Sequence, residues 1–190
     1  MRNGARYLQT VIKCITAQSF DDFEVIAVDD GSSDETGAMM QSWARRDERV
    51  RVLTGPGQGI VPAHNIALGA ARGELLARMD GDDIAFPDRF AAQREALEAD
   101  VSIAALGSRV RLFPRPALHD GLLRYEAWLA SLTTPDEIAA DLFVESPLVH
   151  PSVMARREAV REVGGYQDVD GPEDYDLWLR LSARGFALAN

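Results

Sequence analysis

Leu8, Val11, Ile12 and Ile15 recur at helical spacing, which predicts an amphipathic helix over residues 7–15. The run Phe23-Glu24-Val25-Ile26-Ala27-Val28 reads as a buried strand ending at Asp29-Asp30-Gly31-Ser32-Ser33. A helix over residues 36–46 and a short strand over 50–53 follow. Gly55-Pro56-Gly57-Gln58-Gly59 is a flexible loop. Pro62 fits the first turn of a helix that runs to Arg72, with Gly73 as its stop. Residues 74–79 predict a strand, Pro87 opens a helix that continues to Ala99, and residues 102–112 are strand-like. Strands alternating with helices predict an α/β layer around a mixed, mostly parallel sheet.

After Phe113 the pattern changes to a Pro-rich loop and short helices over residues 122–132 and 135–143. Residues 149–154 are extended, and 156–163 are helical up to Gly164-Gly165. The last clear helix covers residues 175–183. The pattern opens on a helix where such a layer is expected to open on a strand, and it stops soon after another helix. Both ends therefore read as truncated. The whole reads as one domain over residues 1–190.

Composition narrows the functional classes. The chain has 190 residues, 46% hydrophobic and 26% charged, which fits one globular domain with a substantial core. Its net charge of -10 argues against nonspecific binding to nucleic acid or to an anionic membrane. An anionic ligand remains compatible, because a metal ion and a few arginines reverse the field locally. Cys14 is the single cysteine, so no intrachain disulfide can form. No apolar run approaches the roughly 18 residues of a membrane span.

Three acidic clusters fall at expected strand ends or helix starts. Asp29-Asp30 closes the first strand, where open α/β sheets bind ligands, although Ser33 or Asp34 also fits a plain helix cap. Asp80-Gly81-Asp82-Asp83 puts three carboxylates within four residues, and their repulsion calls for a cation, donors or open water. Carboxylates are hard ligands suited to Mg²⁺ or Mn²⁺, which often share coordination with a substrate diphosphate. Glu173-Asp174 follows Gly171-Pro172 at a helix start, where acids are favoured in any case.

Taken in order, several segments resemble glycosyltransferase family 2. They are Ala27-Val28-Asp29-Asp30-Gly31-Ser32-Ser33, His64-Asn65 through Gly73-Glu74, Met79-Asp80-Gly81-Asp82-Asp83 with Pro87-Asp88-Arg89, His150-Pro151-Ser152-Val153-Met154, Gly164-Gly165-Tyr166 and Glu173-Asp174-Tyr175-Asp176-Leu177-Trp178. The resemblance implies a GT-A fold, with a nucleotide-sugar-binding half over residues 1–112 and an acceptor-binding half over 113–190. It implies that Asp30 contacts the uracil of a UDP-sugar, with Asp29 beside the nucleoside. Asp82 is implied as the direct ligand of Mn²⁺ or Mg²⁺, with Asp80 near the metal and the ribose or sugar. Asp83 is implied at the donor sugar, Glu173 at donor or acceptor, and Asp174 as catalytic base. The implied reaction inverts the anomeric centre and transfers sugar to a saccharide or lipid-linked acceptor. The setting is bacterial polysaccharide or glycolipid synthesis, in the cytoplasm or at the inner face of the membrane.

Two departures from the family pattern stand out. The first strand, which normally lies mid-sheet, and the segment after the last helix are expected to be missing. A noncatalytic nucleotide-sugar-binding or assembly module therefore stays open as the alternative. A sugar nucleotidyltransferase is weaker, since no Gly-rich loop with the required Arg and Lys is found. His64 reads as helix surface or packing, with a diphosphate contact as the sharper reading, Arg72 and Arg78 as ion-pair partners, and His150 as packing or site lining. Tyr125 and Trp128 read as core packing, with acceptor contact as the sharper reading.

Overall fold

The computed structural model describes all residues from Met1 to Asn190. The helical stripe at the start becomes α1 (Ala5–Thr16), which buries Leu8, Val11 and Ile15. β1 (Val25–Asp29) pairs in parallel with β2 (Val50–Thr54), and α2 (Thr36–Ala44) connects them. α3 (Ile60–Ala70) packs on β1 and leads to β3 (Leu75–Ala77). α4 (Arg89–Ala99) precedes β4 (Ile103–Leu106), whose four residues are all buried.

The second half supplies α5 (Asp120–Ser131), α6 (Pro135–Asp141), β5 (Met154–Arg156), α7 (Arg157–Glu162), α8 (Glu173–Ala183) and β6 (Ala187–Ala189). β3, β5, β4 and β6 form one sheet in that order. β5 is antiparallel to both neighbours and β6 is parallel to β4. The architecture is thus mixed α/β, and strands from residues 154–189 complete the sheet begun by residues 75–106.

Several boundaries differ from the sequence pattern for physical reasons. β3 keeps only three of the six expected residues, although Arg78 N still donates to Val153 O at 2.9 Å. α4 begins at Arg89, because Pro87 and Asp88 form the turn ahead of it and Asp88 takes the cap position. The expected strand over 102–112 stops at Leu106, and Gly107 N makes a last bond to Ala189 O. Residues 150–152 form a single 3₁₀ turn where extended chain is expected. β6 lies beyond the last element that the pattern identifies.

The largest buried cluster joins α8 to the four-stranded sheet through Leu177, Trp178, Leu181, Val153, Ala155 and Leu188. This buried face seats α8 on the sheet. Between β1 and β3 the two sheets do not pair. Val25, Ile26, Leu75, Leu76 and Ala77 instead line a cavity of about 940 Å³. Met1 bonds along the edge of β1 away from β2. Its amino group donates to Val28 O at 2.7 Å, and Asp30 N donates to Met1 O at 2.9 Å.

Candidate active site

β1 ends at Asp29, and the chain then turns so that the two acids diverge. Asp29 Oδ1 accepts from Ser32 N at 3.0 Å and closes the turn into α2. Asp30 is buried, 5% exposed. Its Oδ1 accepts from Gly57 N at 2.8 Å and its Oδ2 from Gly59 N at 3.0 Å. Both glycines have positive φ, at 73° and 103°, a conformation that costs other residues energy. Asp30 therefore organises the glycine loop, and any further donor shares oxygens that already carry one bond each.

The acidic knot follows β3. Asp80 Oδ2 lies 2.6 Å from Arg78 Nη1. Asp82 is exposed and makes no hydrogen bond or ion pair. The Asp83 carboxyl is pushed up, first by burial and then by the charges of Asp80 and Asp82. Arg78 and Arg89 both act on this cluster, but two arginines do not offset three carboxylates, and the unpaired Asp82 leaves hard oxygen donors free. This donor set fits a hard divalent cation.

Glu173 and Asp174 stand on the first turn of α8, where the helix dipole favours negative charge. Glu173 Oε1 lies 3.6 Å from His150 Nδ1 and 4.0 Å from His64 Nε2. His150 Nε2 is 3.0 Å from the Tyr166 hydroxyl. Its ring meets Trp178 edge-on, with centroids 5.8 Å apart. Interaction with His150 holds Glu173 down to about 2, so it is a carboxylate at neutral pH. Burial, with help from His150 and Arg78, pushes His64 down to about 3, and burial also lowers His150. The cluster is therefore a carboxylate facing two imidazoles whose protonation burial disfavours. Asp174 makes no hydrogen bond, yet its charge reaches His150, Tyr166 and Tyr125.

The knot and the head of α8 converge on His64, which lines the same cavity as Asp80 and lies 4.0 Å from Glu173 Oε1. Asp30, His64, Arg78 and Asp80 line one cavity of about 390 Å³. Asp29 is turned toward α2 instead. Sequence reasoning undervalued His64 and Arg78, which it treated as packing and ion-pair residues. His64 does pack, but it packs against Tyr166 and His150 beside Glu173. Arg78 pairs as expected, but its buried Nε has no hydrogen-bond partner. Position next to the acidic knot was the signal for Arg78, and place in the His64–Glu74 segment was the signal for His64.

The family model for glycosyl transferase family 2 matches residues 1–164. The EpsE protein of Bacillus subtilis is 30% identical over 97% of this chain and 65% of its own length. The amylovoran biosynthesis glycosyltransferase AmsE of Erwinia amylovora is 29% identical over 96% of this chain and 66% of its own. Among solved structures, a mannosyltransferase from Pyrobaculum calidifontis in complex with GDP-Man and Mn²⁺ superposes with a TM-score of 0.75 at 21% identity. That match covers all of this chain and 52% of the other. Staphylococcus aureus TarS 1-349 in complex with UDP gives 0.61 at 17% identity, covering 100% of this chain and 55% of TarS. These likenesses show the GT-A fold, and this chain spans about two thirds of the matched relatives. The match over residues 1–164 makes the chain a member of glycosyltransferase family 2.

Proposed function

We propose that this chain carries the centre of an inverting glycosyltransferase that moves a sugar from a UDP-sugar to a hydroxyl acceptor. The acceptor is a saccharide or a lipid-linked acceptor of polysaccharide or glycolipid synthesis. The observation that carries the reading is the convergence of two acidic elements from distant parts of the chain. Asp80 of the knot shares a cavity with His64, and the same imidazole lies 4.0 Å from Glu173 on the first turn of α8. A pathway role is supported by the name of AmsE, an amylovoran biosynthesis glycosyltransferase.

In this reading residues 1–112 bind the nucleotide-sugar and residues 113–190 bind the acceptor. Asp82, with Asp80 beside it, holds Mn²⁺ or Mg²⁺. When bound, such an ion offsets charge that builds on a departing diphosphate. Asp29 and Asp30 lie at the nucleoside, where Asp30 acts mainly by fixing the Gly55–Gly59 loop. Asp83 and Glu173 contact the donor sugar or the acceptor. Asp174 takes the proton from the acceptor hydroxyl as that oxygen bonds to the anomeric carbon. The bond from that carbon to the diphosphate oxygen breaks, and nucleoside diphosphate leaves with the electron pair. Attack opposite the leaving group inverts the centre, and no enzyme nucleophile is needed.

A product assay with a panel of UDP- and GDP-sugars, with and without chelator, tests this directly. Transfer from a UDP-sugar that stops on chelation and returns with Mn²⁺ supports the reading. Tight UDP binding without any product favours the alternative of a noncatalytic nucleotide-sugar-binding module.

A further inference from the structure

Outside the acidic knot, one side-chain cluster has the makings of a second ion site. His64, His150 and Glu173 come from α3, from the 3₁₀ turn before β5 and from α8. One ligand atom from each lies within 4.8 Å of the other two. We propose that His64 Nε2, His150 Nδ1 and Glu173 Oε1 form a three-ligand site for a Zn²⁺-class transition-metal ion, separate from the hard-cation site at Asp80 and Asp82.

Three observations carry the proposal. The first is spacing. Tetrahedral coordination at zinc bond lengths of about 2.0–2.1 Å puts ligand atoms about 3.4 Å apart. The two imidazole nitrogens stand 3.6 and 4.0 Å from Glu173 Oε1, and all three ligand atoms lie within 4.8 Å of one another, so a modest inward movement of the side chains closes the set. The second is an unmet polar atom. His64 Nε2 is buried and has no hydrogen-bond partner, although it faces Glu173. A buried nitrogen left unpaired is costly and calls for a ligand. The third is support behind the ligands. His150 is 6% exposed, and its other nitrogen is 3.0 Å from the Tyr166 hydroxyl. A partner on the far nitrogen is what fixes the orientation of a metal-binding histidine.

The donor chemistry separates the two sites. Imidazole suits Zn²⁺, Cu²⁺ and Ni²⁺, whereas clustered carboxylates suit Mg²⁺ and Mn²⁺. Arg78 shares a cavity with His64, and its charge is met by Asp80 at 2.6 Å. Three protein ligands leave a fourth position open, as in zinc sites that accept an exchangeable ligand. His64 also lines the cavity beside Asp30 and Asp80, which gives the ion a way in.

The test uses the full chain carrying Cys14→Ser, so that the one thiol does not compete. After chelation, Zn²⁺ is followed by calorimetry and Co²⁺ by the visible absorption of four-coordinate cobalt. No donor is added, so the outcome is independent of the glycosyl-transfer reading. A single equivalent of Zn²⁺ is expected, unchanged by the double substitution Asp80→Asn/Asp82→Asn. His64→Ala and Glu173→Gln each weaken binding by more than tenfold, and Tyr166→Phe weakens it by about tenfold, as loss of an outer partner does. Circular dichroism confirms that each variant is folded, and two ligand variants guard against the failure of either. Zn²⁺ binding that survives both ligand substitutions, or that disappears with the Asp80/Asp82 pair alone, overturns the proposal. So does the absence of four-coordinate Co²⁺ absorption.

Discussion

His150 Nδ1 lies 3.6 Å from Glu173 Oε1, tying the turn before β5 to the first turn of α8. The opposite nitrogen of the same ring meets the Tyr166 hydroxyl at 3.0 Å. The Tyr166 hydroxyl orients the ring so that its other nitrogen faces the residue immediately before Asp174. Removing the hydroxyl tests how much this matters. Tyr166→Phe leaves a buried nitrogen unpaired and is expected to cost about 1–2 kcal/mol. Urea unfolding checks this through a lower midpoint at unchanged slope. A loss below about 0.5 kcal/mol, typical of an unimportant surface change, rejects the link.

The roles proposed for Asp174 and Asp82 separate in their measurable effects. Asp174→Asn is expected to lower kcat by about 10²–10⁴-fold, the usual contribution of a general base. UDP binding in the presence of Mn²⁺ stays intact in that variant. Asp82→Asn is expected to remove the Mn²⁺ dependence of UDP binding. Calorimetry beside a product assay reads both, and near-normal turnover by Asp174→Asn eliminates it as the base.

Asp30 presents two oxygens to two loop amides, so its substitutions should be graded. Asp30→Ala frees the N–H groups of Gly57 and Gly59 together and is expected to cost on the order of 3 kcal/mol. Asp30→Asn keeps one acceptor oxygen and should fall between. Amide hydrogen exchange at Gly57 and Gly59 is the direct readout. Equal protection in all three proteins shows that the loop is held by something else.

The seat of α8 depends on its buried face. Leu177 is fully buried in the main core. Leu177→Ala is expected to cost about 2–5 kcal/mol through lost burial and a residual cavity. Chemical denaturation measures the loss. Activity should fall along with stability, because the same core positions Glu173 and Asp174.

One pH effect follows from α6. Thr133 and Thr134 donate to the Glu137 carboxylate in a capping box and hold it down to about 2, from an ordinary value of 4.5. The unfolded chain binds this proton first as pH falls. The group's contribution to stability is therefore complete above pH 4.5 and disappears as pH falls to about 2. Wild type and Glu137→Gln should differ in Tm at neutral pH and converge in acid. A constant gap across that window contradicts the capping role.

Much of the site was legible because its parts are local. Asp29-Asp30, the Asp80–Asp83 knot and Glu173-Asp174 each sit at an element end that hydrophobic period and turn residues mark out. Other roles were less legible. His64, Arg78, His150 and Tyr166 lie in or beside segments that carry the resemblance, but their mutual contacts cross long stretches of chain.

The sequence alone determined the alternation of helices and strands, the acidic clusters at their ends and the resemblance to a family. Local hydrogen bonding, side-chain spacing and turn chemistry write those features into neighbouring residues. Tertiary structure decided that β5 inserts antiparallel between β3 and β4, that β6 joins the far edge, and that Asp30 is bound to the glycine loop. It also decided that two histidines close on Glu173. Strand partners and buried polar contacts are chosen by packing between distant segments, and no local period encodes that choice.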